Sequence, residues 1–153
     1  MNNDVSNKSI VELEKTLRYI AGIIKRRGRQ ILHNYPITSP QFIALQLLID
    51  GGDLTIGELS EKNGLAFSTT TDLVDRLEKN KLVERIRDTN DRRVVRIHVL
   101  DKGKRIIKEV IKKRQDYLGD VLTNFSKEQS ETLNELLHLL HMEMNSHRDN
   151  KNE

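Results

Sequence analysis

A mainly helical chain with one small β-hairpin, an α+β arrangement, is what this sequence predicts, on three observations. Aromatic residues make up only 4% of the 153 residues and charged residues 32%, with two prolines and no tryptophan; this mix suits amphipathic helices better than a β-sandwich. Ser/Thr-x-x-Glu/Gln pairs precede apolar-periodic stretches four times, at Ser9–Glu12, Thr38–Gln41, Thr55–Glu58 and Ser126–Gln129. In each, the hydroxyl can accept from a backbone N–H one turn on while the later side chain reaches back. The third observation is "VERIRDTNDRRVVRIHVL", residues 83–100, in which Val95, Ile97 and Val99 alternate with Arg96 and His98 at the period of a strand.

The elements follow in order. A first helix is expected from Ser9 to Asn34, where Ile10, Leu13, Leu17, Ile20, Ile24 and Ile31 keep a 3-4 spacing suited to pairing with another helix. Pro36 and Pro40 punctuate the link to "PQFIALQLLID", a helix apolar on most sides and central to the core, which Gly51 and Gly52 end. A short helix from Ile56 to Lys62 stops at Asn63-Gly64, where a sharp turn needs a left-handed residue. The next helix spans Phe67 to Lys79, with Thr70, Leu73, Val74 and Leu77 facing inward. Ser68, Thr69, Thr71, Asp72, Asp75, Arg76 and Lys79 are left outside. Two short helices about a glycine turn, the second presenting small hydroxyls at its exposed start, form helix-turn-helix patterning. "LVERIR" and the Val95, Ile97, Val99 alternation then pair about the "DTND" turn as a wing, with Arg87, Arg92 and Arg93 near its tip. Two helices close the chain, from Asp101 to Asn124 and from Ser126 to Asn145, before "SHRDNKNE", expected to fray.

Charge is unevenly spread. Residues Arg76 to Arg114 hold 15 Lys/Arg against 6 Asp/Glu, within a chain whose formal net charge is only +3. A basic middle in an otherwise acidic protein has the form of a footprint for a polyanion, a solvated helix face being the competing reading. The chain has no cysteine, which excludes disulfides, thiolate metal sites and thiol switches and fits a reducing cytoplasm. No stretch approaches the roughly 20 apolar residues of a membrane span, and the polar start lacks a signal-peptide core. Glycine-rich phosphate loops, HExxH and GxSxG are all missing, so nothing argues for an enzyme.

In order and content these elements resemble the MarR family of bacterial winged helix-turn-helix transcription regulators, over nearly the whole chain. The resemblance is carried by "ITSPQFIALQLL", "TIGELSEKNGLAFSTTTDLVDRLEKNKLVER" and above all "RDTNDRRVVRIHVLDKG". It implies a single 1–153 domain, with residues 38–100 as the DNA-binding lobe and 9–34 with 101–146 as a helical dimerisation region. It also implies a cytoplasmic homodimer on double-stranded DNA: a repressor of a pseudo-palindromic operator, relieved by a small aromatic or anionic ligand. The alternative is a winged-helix dimer used for protein contacts or nonspecific nucleic-acid binding. Departures from the family pattern are Thr89 for a common proline, Leu100 for a capping threonine that Asp101 can replace, Ala66 for a serine-like cap, and Lys81 for a glycine. Asp72 stands where a neutral or basic residue is usual.

The candidate DNA-contacting residues are Ser68, Thr69, Thr71, Asp72, Arg76, Arg87, Arg92 and Arg93. Hydroxyls bond to phosphates or base edges and threonine methyls meet thymine. Arginine suits the negative minor groove, although one of Arg92 and Arg93 is expected to pair with Asp91 or Asp88. Arg76 can pair with Asp72 one turn before it. Arg18, Tyr19, His33 and Tyr35 are candidates for a ligand pocket, with Arg18 or Arg27 as the carboxylate partner. Neither a cofactor nor a metal is expected: His138 and His141 sit three apart among leucines, and a structural role outweighs a metal site.

Overall fold

The computed structural model describes residues 5–149, in two compact units that divide after Arg114. Helix α1, Asn7–Leu32, begins at Ser6, whose hydroxyl accepts from the Ser9 N–H at 3.2 Å. The expected start at Ser9 is therefore corrected. Ser6 is an equally good cap, and starting there adds backbone hydrogen bonds ahead of Ser9. The far end falls at Leu32 rather than Asn34. Tyr35 donates to the Leu32 carbonyl at 2.9 Å in a tightened last turn, because the residue before Pro36 is driven out of helical geometry. Ile31 and Leu32 are buried at this end, while Ile10, Leu13, Ile20 and Ile24 further up remain exposed.

Helix α2, Ser39–Gly51, carries the complete capping box. Gln41 N–H donates to the Thr38 hydroxyl at 3.4 Å, and Thr38 N–H donates to the Gln41 side chain at 3.0 Å. Its Ala44, Leu45 and Leu48 lie in the core, and Gly52, at φ 77°, ends it. Helix α3, Ile56–Asn63, and helix α4, Phe67–Lys79, pack on α2. At the end of α4 the Leu82 N–H donates to the Leu77 carbonyl at 2.9 Å and the Lys81 N–H to the Glu78 carbonyl at 3.0 Å. This is a Schellman closure, which places a left-handed residue at Lys81, φ 60°, where the family pattern has glycine.

Strands β1, Val83–Arg87, and β2, Val95–Val99, pair antiparallel with Val83 opposite Val99 and Arg87 opposite Val95. A third short edge comes from Leu54, which bridges to Ile97 and accepts the Ile97 N–H at 2.7 Å. Ile97 and Val99 are buried, whereas Val95 near the tip is exposed. Helix α5, Asp101–Val121, begins against this sheet. A Cβ on Gly103 would lie 2.5 Å from the Leu82 carbonyl oxygen and 2.9 Å from Val99, so the glycine is what permits the close approach. Asp101 lies inside the first turn, and it is the Leu100 carbonyl that accepts from Lys104, so Asp101 does not replace the cap. Leu45, Leu59, Val74, Leu77, Leu82, Val83, Ile97 and Val110 are fully buried together, each contributing about 1.5–3 kcal/mol of gross hydrophobic stabilisation.

In the second unit, α5 gives way to a single 3-10 turn, Leu122–Asn124, and helix α6, Lys127–Asp149, follows. The box at Ser126 forms as expected, with 3.0 Å and 2.9 Å hydrogen bonds exchanged with Gln129. The expected end at Asn145 is corrected. Ser146 donates to the Met142 carbonyl at 3.2 Å, the helix runs on to Asp149, and only the last four residues of the supposed tail lie outside the described residues. Leu118, Val121, Leu136, Leu137 and Leu139 are exposed on these elements.

Candidate nucleic-acid interface

The turn between α3 and α4 is held by side chains on both sides. Gly64, at φ 70°, closes α3, and Thr55 caps its start by accepting from the Glu58 N–H at 3.1 Å. Glu58 does not complete the box; its carboxylate reaches Arg96 at 3.3 Å instead. Asn63 accepts from the Leu65 N–H at 2.9 Å and donates to the Thr70 hydroxyl at 3.3 Å, while Ser60 donates to the Leu65 carbonyl at 2.7 Å. The start of α4 is thus fixed relative to α3, although Ala66 offers no side-chain cap.

Ser68, Thr69, Asp72 and Arg76 are exposed on the outer face of α4, and Thr71 is partly so. The Thr71 hydroxyl donates to the Phe67 carbonyl at 3.0 Å, so its proton is used within the helix and a lone pair and a methyl remain to meet a partner. Among the described residues Arg76 forms no ion pair with Asp72. Arg76 instead borders a hollow of about 470 Å³ together with Lys79, Tyr35 and Gln41.

The wing arginines divide by role. Arg85 is bound to Asp75 at 2.6 Å and Glu78 at 2.7 Å, and its own N–H donates to Glu78 at 3.0 Å, which ties β1 to α4. Arg96 donates to Asp88 at 2.8 Å and reaches Glu58 and the Asp53 carbonyl, which ties β2 to α3 and the segment before it. His98 adds a 2.9 Å contact to the Asp53 carboxylate. These partners were not legible from the sequence.

Nearer the tip, Asp88 accepts from the Asn90 N–H at 2.8 Å, and Arg87 donates to the Arg92 carbonyl at 2.9 Å, so the loop is shaped from both ends. The Arg96 guanidinium, with the Asn90 and Asp91 N–H groups, holds the Asp88 carboxyl below its ordinary range. Arg93 lowers that of Asp91 in the same way, pairing with it at 3.1 Å while itself 90% exposed. Arg92 is exposed, and its guanidinium has no partner among the described residues. Of the two tip arginines, Arg93 is therefore the one in an ion pair.

The expected ligand set does not come together. His33 and Tyr35 line a hollow of about 300 Å³ with Arg29, Leu32, Ile37 and Thr38, and Lys113 lies over the Tyr35 ring at 5.2 Å. Arg18 and Tyr19 are elsewhere on α1, roughly 20 Å along the helix at 1.5 Å per residue. Arg18 is bound to Glu14 at 2.8 Å and Tyr19 is exposed beneath Lys15 and Arg18. Arg27 bonds to Gln30 at 3.3 Å. The 3-4 spacing put Arg18, Tyr19, Arg27 and His33 on one expected helix but could not say which turn meets α2.

Phe67, 61% exposed at the first position of α4, is not among the candidate contacts that the sequence singles out. The sequence carried no signal for it: Phe67 stands three residues before Thr70 and seven before Val74, on the stripe that spacing turns inward. Only its place at the very start of the helix leaves it exposed. His138 and His141 join no group of three or more metal-ligating side chains among the described residues, and no described helix is long and apolar enough to cross a membrane.

A model of the MarR family matches residues 37–95, which contain α2, α3, α4, β1 and the wing loop. The chain is 56% identical over 135 residues to YsmB, an uncharacterized HTH-type transcriptional regulator of Bacillus subtilis, covering 88% of this chain and 92% of the relative. The solved structure of a MarR family protein from Bacillus stearothermophilus is 57% identical, with a TM-score of 0.88 over 92% of this chain and 99% of that one. At 19% identity, FabT of Streptococcus pneumoniae, solved in complex with DNA, shares the fold with a TM-score of 0.76 over 90% of this chain and 98% of its own.

Proposed function

Since the chain belongs to the MarR family of transcriptional regulators, we propose that it acts as a homodimeric repressor of a pseudo-palindromic operator on double-stranded DNA, without enzymatic activity. Residues 38–100 form the reading lobe, and residues 9–34 with 101–146 form the dimerisation region. Ser68, Thr69, Thr71, Asp72 and Arg76 meet the major groove; Arg87, Arg92 and Arg93 meet phosphates and the adjacent minor groove. The observation that carries this reading is the exposed hydroxyl face of α4 beside a braced wing whose Arg92 guanidinium is unpartnered among the described residues. The DNA complex of FabT supports it. Relief comes from a small anionic or aromatic ligand in the hollows beside Tyr35, where Arg76 and Lys79 of α4 supply positive charge. Filling such a hollow would bear directly on the reading helix. The setting is the cytoplasm, where a cysteine-free DNA-binding chain has its target.

The experiment selects duplexes from genomic DNA with the purified protein and titrates salt on the enriched and scrambled sequences. Arg92→Ala should weaken both to similar extents and reduce the log-affinity against log-salt slope by about 0.9. Thr69→Ala should keep the slope and lose about 1–3 kcal/mol of discrimination at particular base pairs. Binding with no enrichment over scrambled DNA would replace this reading with a nonspecific nucleic-acid module.

A further inference from the structure

The exposed first turn of α4 contains a side chain that neither the helix-turn-helix packing nor the hydroxyl contacts account for. Phe67 is 61% exposed, more than any other large apolar residue among the described residues, whereas Phe42 is buried in the core. It stands at the first helical position, next to Ser68 and Thr69, and Leu65, 38% exposed, precedes it by two residues. Thr71 follows one turn later on the same face, with its hydroxyl proton committed to the Phe67 carbonyl. The N-terminal end of α4 thus offers an aromatic ring at its first position and, one turn on and on the same side, a threonine methyl. An exposed aromatic here gains nothing from helix propensity, for which phenylalanine is a middling residue.

Within the major groove the apolar feature on a base edge is the thymine 5-methyl group, against which a phenylalanine ring packs well. We propose that Phe67 is a specificity-determining residue that packs on a thymine methyl in each half-site and selects T·A over C·G at that step. The proposal rests on the reading of α4 as the DNA-contacting helix. It adds an apolar term to a recognition surface otherwise made of hydroxyls and charges.

The test uses the full chain and a duplex enriched from random sequence by the wild-type protein. Each thymine of that duplex is replaced in turn by deoxyuridine, which removes the methyl and leaves the hydrogen-bonding edge unchanged. For the wild type, one thymine per half-site should lose about four-fold in affinity on replacement, the factor for one buried methyl. For Phe67→Ala the same replacement should cost nothing, while the dependence on salt stays as in the wild type. Phe67→Gln, which removes the apolar ring and keeps a long side chain, repeats the measurement should the alanine variant lose helical content or thermal stability. Equal methyl penalties in wild type and variants at every thymine would overturn the proposal and leave the DNA reading standing. Failure of the wild type to enrich any sequence would overturn both.

Discussion

Lys81 holds its backbone at φ 60°, a left-handed conformation that costs an L-residue with a Cβ roughly 1–2 kcal/mol. The Schellman bonds from Lys81 and Leu82 keep it there. Glycine would remove that strain and lose part of the gain to its freer unfolded chain. Lys81→Gly should therefore raise the stability read from urea unfolding by about 1 kcal/mol or less; a lower midpoint would contradict the closure described. Asp88 gives a second prediction, in pH. Its carboxyl is held below the ordinary range by the Arg96 guanidinium first and the loop N–H groups next. A depressed carboxyl stabilises the fold above the pKa of the unfolded chain, about 4, and that contribution is lost as pH falls through the lower folded value. Thermal midpoints of Asp88→Asn should lie below wild type at neutral pH and converge with it in acid. A constant gap down to strong acid would place the effect of Asp88 outside its charge.

At the scale of elements, the first turn of α5 rests on the wing through the contact of Gly103 with Leu82. A methyl there meets backbone carbonyl oxygen at 2.5 Å, which no rotamer change relieves. Gly103→Ala should destabilise by about 1–3 kcal/mol, as overpacking does, and urea unfolding would show it as a lower midpoint with an unchanged slope. An unaltered midpoint would mean that α5 can slide off the sheet at no cost. Elements were legible where local chemistry sets them: the Thr38 box starts α2, Gly64 stops α3, and the inward set of Leu73, Val74 and Leu77 spans α4 from Phe67 to Lys79. The start of α1 was misplaced because Ser6 and Ser9 are both adequate caps and no local rule ranks them. The candidate site was only half legible. Thr69 and Arg92 can be read from their exposed positions, but Arg85 and Arg96 look like the same footprint until their partners are known. Of those of Arg96, Asp88 lies within "VERIRDTNDRR", but Glu58 and Asp53 stand 38 and 43 residues back, beyond the reach of any local pattern.

For the molecule as a whole, Ile10, Leu13, Ile20 and Ile24 line α1 in full view of solvent, more apolar surface than isolated exposed residues usually present. A second copy of the chain is the occupant we propose, so sedimentation at micromolar concentration should give a dimer, and Ile20→Glu should shift it toward monomer while leaving the winged lobe folded. A well-folded wild-type monomer at that concentration would overturn the assembly. The Leu54 edge has a different consequence, one of order in time. Strands β1 and β2 meet across the short loop from Asp88 to Val94, whereas Leu54 meets Ile97 from 43 residues away. Closing the longer loop costs roughly 1.5 kcal/mol more in chain entropy, unless α3 and α4 have already shortened the path. The hairpin is therefore expected to form before Leu54 docks on it. Shortening Leu54 should quicken unfolding and leave the folding rate nearly untouched, while the same truncation at Leu77 should slow folding.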